Sequence, residues 1–245
     1  MGIGLGLVIV GFGIMGALCI RDANYIHGGW VGGIELFGQH IRGFNLDGEM
    51  NLPTAFSGLL LISACLVGLV VATESASVGI RAARLVPMVA LIGYMSLDEV
   101  FQIHERLETW TGIDWQTLYL PVFAIAGVLG ATLLPRLRTA GRAAHLLVLG
   151  GIAWGGAQIF EAVQWDGPDR LVAPWTIVPE ETLEMAGSLL FLLAFLAVAS
   201  HIVAMRDVGA TARFRNRAIS AGVRPRAGVL REPAPRARPR SRARH

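Results

Sequence analysis

The sequence predicts an all-α protein, a polytopic membrane helical bundle with about six transmembrane helices, from three observations. Of the 245 residues 53% are hydrophobic and only 16% are charged, and the mean hydropathy is +0.54. The apolar residues are gathered in long runs, and none of these runs alternates apolar and polar residues as the strands of a membrane barrel do. Because backbone groups inside a bilayer must be paired within the chain, the runs are expected to be helices.

Six segments are long and apolar enough to cross a bilayer, which takes about 20 residues of helix. In chain order they are residues 3–20, 55–71, 85–103, 118–134, 143–163 and 177–205. The connection between the first two is long, and near 30–44 large apolar residues such as Trp30, Ile34 and Phe37 recur at helical spacing. This pattern predicts an amphipathic helix on the outer leaflet, either a lid over the polar cluster described below or a simple anchor.

The distribution of arginine predicts the orientation. The chain has no lysine, so its 21 basic residues are all Arg, and 17 of them fall in the connections after the second and fourth segments and in the C-terminal tail. Positively charged connections stay in the cytoplasm, so both termini are predicted inside, in a multi-pass protein of the cell membrane such as a bacterial inner membrane. Fifteen of the 18 acidic residues then lie on the outer side.

The tail, residues 206–245, is predicted to be a separate disordered segment after the bundle of residues 1–205. It carries twelve Arg and four Pro with few large apolar side chains, a composition that cannot bury a core. The tail accounts for the high isoelectric point, so no nucleic-acid partner is predicted. The expected partners are the bilayer itself and the anionic lipids of the inner leaflet, while the sequence does not specify an oligomeric state.

Acidic residues lie inside or beside three of the apolar segments, all toward the predicted outer side. Asp98 comes only thirteen positions after residue 85, too early for a helix to have left the hydrocarbon. His104 and Glu105 follow it, Glu161 lies near the end of the fifth segment, and Glu180, Glu181 and Glu184 lie near the start of the sixth. Ionisable residues at such depth are expensive to bury and are therefore candidates for function.

On one continuous helix, Asp98, Gln102 and Glu105 form a polar stripe that is expected to face the bundle interior. Glu99 falls on a different face together with Arg106, so it is predicted to be a local partner rather than a site residue.

Carboxylates and an imidazole projecting from several helices are the ligands with which helical bundles hold metals. The sequence therefore predicts a divalent metal ion, Zn, Fe, Mn or Mg, held by a set of five residues. These are Asp98, His104, Glu105, Glu161 and Glu184. Glu105 and Glu181 are the candidate catalytic acid and base of a membrane-embedded metal-dependent enzyme. Two alternatives stay open, a non-catalytic membrane subunit that binds a partner and a cation or proton transporter.

Two short motifs carry a resemblance to a wider group of proteins. The first is Ser96-Leu97-Asp98-Glu99 followed by Ile103-His104-Glu105, and the second is the run from Glu180 to Met185. Together they resemble uncharacterised bacterial multi-pass membrane proteins. The resemblance covers two helices and implies no particular activity.

Overall fold

The computed structural model describes residues 2–22, 34–36, 39–41, 52–78, 81–164 and 174–220, and it confirms the helical class. Seven α-helices account for nearly all of these residues, joined in places by single turns of 3-10 helix. The helices are α1 (Gly2–Asp22), α2 (Leu52–Glu74), α3 (Ala82–Phe101), α4 (Ile103–Thr111), α5 (Trp115–Leu137), α6 (Ala143–Gln164) and α7 (Ile177–Ser220).

Four helical segments of the described chain are long and apolar enough to cross a membrane. They are Leu52–Glu74, Trp115–Ala140, Ala143–Gln164 and Ile177–Arg213, and α3 with α4 makes a fifth if the bent pair is one span. In α1 the apolar part, Ile3–Met15, is shorter. Apolar helices of this length are those of a membrane protein, while the number of six spans and their orientation stay predictions.

Two helix ends, the start of α5 and the end of α4, are capped by residues of the local sequence. Asp114 precedes α5, and its carboxylate accepts a hydrogen bond from the Thr117 N–H at 3.1 Å, as an N-cap side chain does. At the end of α4, Gly112 takes a positive φ of 68° and donates its N–H to the Glu108 carbonyl at 2.7 Å. Only glycine adopts this C-terminal conformation without strain.

The core lies mainly between α2, α3 and α7, where Leu61, Leu85 and Met185 are fully buried. Helices α2 and α3 approach closely because small residues line their contact. A Cβ atom added at Gly68 would lie 2.6 Å from a methyl carbon of Val89, well inside ordinary contact distance. Because lipid tails are as apolar as the side chains, this dense packing is what holds such helices together.

The connection between α1 and α2 differs from the sequence prediction. Where an amphipathic helix is predicted near residues 30–44, Ile34–Leu36 and Gln39–Ile41 form two short antiparallel strands, β1 and β2, with Leu36 opposite Gln39. Pairing between strands has overridden the helical spacing of the apolar residues, which is only a weak local signal. Whether the segment is a lid stays a prediction.

The start of the predicted disordered tail is helical. Helix α7 continues without a break through Met205 to Ser220, so residues 206–220 are part of a helix although their composition is polar. A helix that has already begun adds residues at little cost, because nucleation is its expensive step. Contacts nevertheless divide the chain at Met205, and Met1–Met205 is one compact unit. The predicted disorder of residues 221–245 lies outside the described residues.

Candidate functional site

The helix that carries Asp98 does not continue to Glu105 as predicted, because it breaks at Gln102. Gln102 adopts φ 53° and ψ 47°, the left-handed conformation. The helix axis bends by 70° between α3 and α4. Among the described residues Gln102 is the one non-glycine residue with a positive φ. Such a conformation costs roughly 1–2 kcal/mol for an ordinary side chain, so the surrounding contacts must stabilise the bend.

Asp98 supplies those contacts. Its Oδ1 atom accepts a hydrogen bond from the backbone N–H of His104 at 2.9 Å and another from the Tyr119 hydroxyl at 3.0 Å. Gln102 itself makes no side-chain cap for α4. The Asp98 carboxylate therefore takes the place of an N-cap side chain for α4, at the helix end where the backbone dipole favours negative charge.

The His104 ring lies against the same carboxylate. Its Nδ1 atom is 3.2 Å from Asp98 Oδ2, within ion-pair range, but the angle is not that of a hydrogen bond. Only 20% of the His104 side chain and 14% of the Asp98 side chain are exposed. The other side of the imidazole packs on the Trp115 indole, with ring centroids 4.6 Å apart.

Helix α5 contributes an aromatic wall to the site. Trp115, Tyr119 and Phe123 are spaced four residues apart, and neighbouring rings meet edge to face at 5.4 and 6.4 Å. The Trp115 indole N–H donates to Glu161 Oε1 at 2.7 Å, and the Tyr119 hydroxyl is hydrogen-bonded to that of Tyr94. The wall thus joins α3, α5 and α6 through polar groups at its edges.

Helices α6 and α7 form the opposite side. The side-chain amide of Gln158 donates to Glu184 Oε1 at 3.4 Å. The backbone carbonyl of Gln158 accepts a hydrogen bond from the Gln116 side-chain amide at 3.1 Å. The two helices pack closely because Gly150 and Gly187 face each other: a Cβ atom at Gly150 would lie 3.3 Å from the Gly187 carbonyl oxygen. This close approach places Glu184 opposite Gln158, about one helical turn from Glu161 along α6.

All six residues that the sequence predicts for the site line one cavity of about 720 Å³. They are Asp98, His104, Glu105, Glu161, Glu181 and Glu184. Two further carboxylates line it as well, Glu99 and Glu180, and in the part of the chain that the structure describes its lining includes no Arg. Below the acidic end the walls are apolar, formed by aliphatic and aromatic side chains of α3, α5, α6 and α7.

The position of Glu99 corrects the sequence prediction. The helical wheel places it on another face because the wheel assumes one straight helix from residue 85 to Glu105. Beyond the bend at Gln102, α4 runs in a different direction from α3, so Glu99 and Arg106 no longer share a helix face. Glu105 and Arg106 are exposed on α4. Glu99 and Glu105 both line the cavity.

The aromatic side chains of α5 are functional candidates that the sequence analysis missed. A signal was present, because Trp115, Tyr119 and Phe123 recur every four residues and so share a helix face. The same spacing is common for a face that packs in a core, which is why the pattern alone does not reveal a binding wall.

The predicted metal ligands share the cavity, but they do not converge on one point. Within the part of the chain that the structure describes, no three His, Cys, Asp or Glu side chains are close enough to hold a metal ion together. Asp98 and His104 form a pair, while Glu161 and Glu184 are engaged by Trp115 and Gln158. Metal ligation therefore stays a prediction.

These features define a helical membrane-type protein with an aromatic-walled cavity between its apolar helices. The acidic residues of the cavity lie toward one end of these helices. The chain belongs to a family described as a domain of unknown function (DUF8692), whose profile matches residues 5–199. This family is consistent with the resemblance to uncharacterised proteins, although the match does not address the two motifs. No curated protein and no solved structure matches the chain.

Proposed function

We propose that this protein is a multi-pass membrane protein of the cell membrane whose cavity binds an organic cation that also carries apolar groups. The proposal includes about six spans with both termini inside, so that the acidic end faces outward. The observation that carries it is the cavity lining, which among the described residues combines seven carboxylic side chains with aromatic and aliphatic walls.

The charge of the cavity favours a cation. Two unit charges 4 Å apart attract by roughly 4 kcal/mol at an effective dielectric constant of 20, which is typical near a protein surface. The side-chain hydrogen bonds that Trp115 donates to Glu161 and Gln158 donates to Glu184 come from neutral donors. A bound cation would supply positive charge to this pair.

The walls favour an organic cation over a bare ion. Trp115 and Tyr119 offer aromatic rings, which attract a poorly hydrated cation through their π faces. The volume of about 720 Å³ falls within the range of roughly 300–1,000 Å³ that small-molecule sites occupy. A hydrated metal ion would not use the apolar depth of the cavity.

A direct test is the binding of methyltriphenylphosphonium to the whole chain in detergent, measured by isothermal titration calorimetry. Triphenylphosphine oxide, which carries the same three phenyl groups but is neutral, is the matched ligand. We expect the phosphonium to bind and the oxide to bind at least tenfold more weakly, since the attraction between charges is worth more than 1.4 kcal/mol at this depth.

Matched variants locate the binding. The double variant Glu161→Gln with Glu184→Gln keeps the shape of the cavity and should weaken phosphonium binding at least tenfold. Glu108→Gln makes the same change outside the cavity lining and should leave binding unchanged. Equal affinity for the phosphonium and the oxide, or an equal loss in both variants, contradicts the proposal.

A divalent metal is the second candidate, favoured by the presence of all five predicted ligands in one cavity. In that case Asp98, His104, Glu105, Glu161 and Glu184 would rearrange around the ion, and Glu105 and Glu181 would serve as acid and base. Elemental analysis of the purified protein tests this reading. One Zn, Fe, Mn or Mg per chain in the wild type, absent from Asp98→Asn, would favour the metal enzyme over the organic-cation site.

The remaining alternatives are separable by function. A transporter would move an organic cation that does not cross bilayers unaided, such as labelled tetraethylammonium, into liposomes, whereas a binding protein would produce no flux. A non-catalytic subunit whose polar cluster only joins helices would bind neither the phosphonium nor a metal.

A further inference from the structure

A second cavity adjoins the first at Ala131, far from the acidic residues, and its charged lining residues are arginines. It has a volume of about 500 Å³ and is lined by Arg84, Ala131, Thr132, Pro135 and Arg136. Arg84 is in the first turn of α3 and Arg136 is in the last turn of α5, so two helices bring their arginines to one space.

The two guanidinium groups have no carboxylate partner within ion-pair distance among the residues that the structure describes. Two cations that share a cavity repel each other, and a bound anion would remove this repulsion. The Thr132 hydroxyl donates to the Leu129 carbonyl at 2.9 Å, so the arginines are the side chains that can donate to an anion here.

The start of α3 adds to the attraction. The residue that precedes it, Arg81, makes no side-chain cap. Its carbonyl accepts the Arg84 N–H at 2.9 Å, but Arg81 contributes no side-chain acceptor to the first turn. The N-terminus of a helix carries partial positive charge and favours an anion nearby. Guanidinium groups bind phosphate in particular, because their planar donors match two phosphate oxygens.

We infer that Arg84 and Arg136 bind the phosphate group of an anionic phospholipid at the arginine-rich end of α3 and α5. The apolar faces of Ala131 and Pro135 continue the cavity along the helices and would contact the acyl chains. A basic pocket between membrane helices is the usual setting for a specific lipid headgroup. This site is independent of the acidic cavity and of the arginine-rich tail.

The test uses the full chain in detergent and native mass spectrometry of added lipids. Phosphatidylglycerol is the anionic probe, phosphatidylcholine is the zwitterionic comparison, and inorganic phosphate tests for a free anion. The double variant Arg84→Gln with Arg136→Gln removes both charges, whereas Arg138→Gln with Arg142→Gln removes two charges outside the cavity lining. Circular dichroism of each lipid-free variant shows that it is folded.

We expect the wild type to retain one phosphatidylglycerol more tightly than phosphatidylcholine. Loss of Arg84 and Arg136 should weaken that binding about thirtyfold, since each arginine near a lipid headgroup contributes roughly a factor of five. The Arg138 and Arg142 variant should change it less than threefold. An equal loss in both variants would mean that only general charge attraction acts, and tight retention of inorganic phosphate in place of the lipid would refute the lipid assignment.

Discussion

Replacing Asp98 tests the bend between α3 and α4 most directly. In Asp98→Ala the His104 N–H and the Tyr119 hydroxyl lose their common acceptor, Oδ1 of the carboxylate. Loss of an N-cap costs about 1 kcal/mol, and loss of a hydrogen bond to a charged group costs about 1.5–3 kcal/mol. Tyr119 keeps its bond to Tyr94, so we expect a total loss of about 2–4 kcal/mol.

Asp98→Asn separates the hydrogen bonds from the charge. The amide keeps an oxygen in the position of Oδ1, which accepts both bonds, and asparagine is as good an N-cap as aspartate. The neutral amide is also cheaper to bury than a carboxylate. The asparagine variant should therefore lose at most about 1 kcal/mol, clearly less than the alanine variant.

The assay is reversible denaturant unfolding in mixed micelles, followed by circular dichroism, for wild type, Asp98→Ala and Asp98→Asn. Tyr119→Phe, alone and combined with Asp98→Ala, completes a double-mutant cycle, and residues in contact should show a coupling of about 0.5–3 kcal/mol. The reasoning is wrong if the alanine and asparagine variants are equally unstable, or if the alanine variant unfolds like the wild type.

Three further predictions concern the packing and the tail. Gly68→Ala should destabilise the protein by about 1–3 kcal/mol in the same unfolding assay, because its new methyl group would overlap the Val89 side chain. Gly127→Ala is the control and should be neutral, because the space around Gly127 is open. Truncation after Ser220 should shift the melting temperature by less than a degree or two, because the Arg/Pro composition of the removed residues buries no core. A large drop would show that those residues pack on the bundle. A phosphatase reporter fused after Ser220 should be inactive if the C-terminus is cytoplasmic, and activity there would overturn the predicted orientation.

The level of the acidic residues could be predicted from the sequence because it depends on run length alone. A helix rises 1.5 Å per residue, so the position of Asp98, Glu161 and Glu184 within their apolar runs places them near one end of the bundle. All three residues line one cavity, but that cavity also extends to Leu134 and Leu147, so a common level stays a prediction.

The angular arrangement could not be predicted, because the break at Gln102 has no local sequence signal. Neither Gly nor Pro marks the segment Phe101-Gln102-Ile103. The bend depends on Asp98, one turn earlier in α3, and on Tyr119, which lies on α5. A wheel drawn through the break therefore misplaces Glu99 relative to Glu105. Tertiary contacts decided this geometry against the local helical preference.

The hydrogen bonds within the cavity assign different tasks to its acidic residues. Asp98 is already engaged by the His104 backbone, the His104 ring and the Tyr119 hydroxyl, so its negative charge stabilises the bend. Glu184 receives from Gln158 a bond of 3.4 Å, near the limit of a hydrogen bond. A carboxylate with few internal donors keeps lone pairs for a ligand. If the cavity binds a cation, Asp98 therefore acts as a positioning residue that holds α4 in place, and removing the Glu184 charge should weaken binding more than Asp98→Asn does.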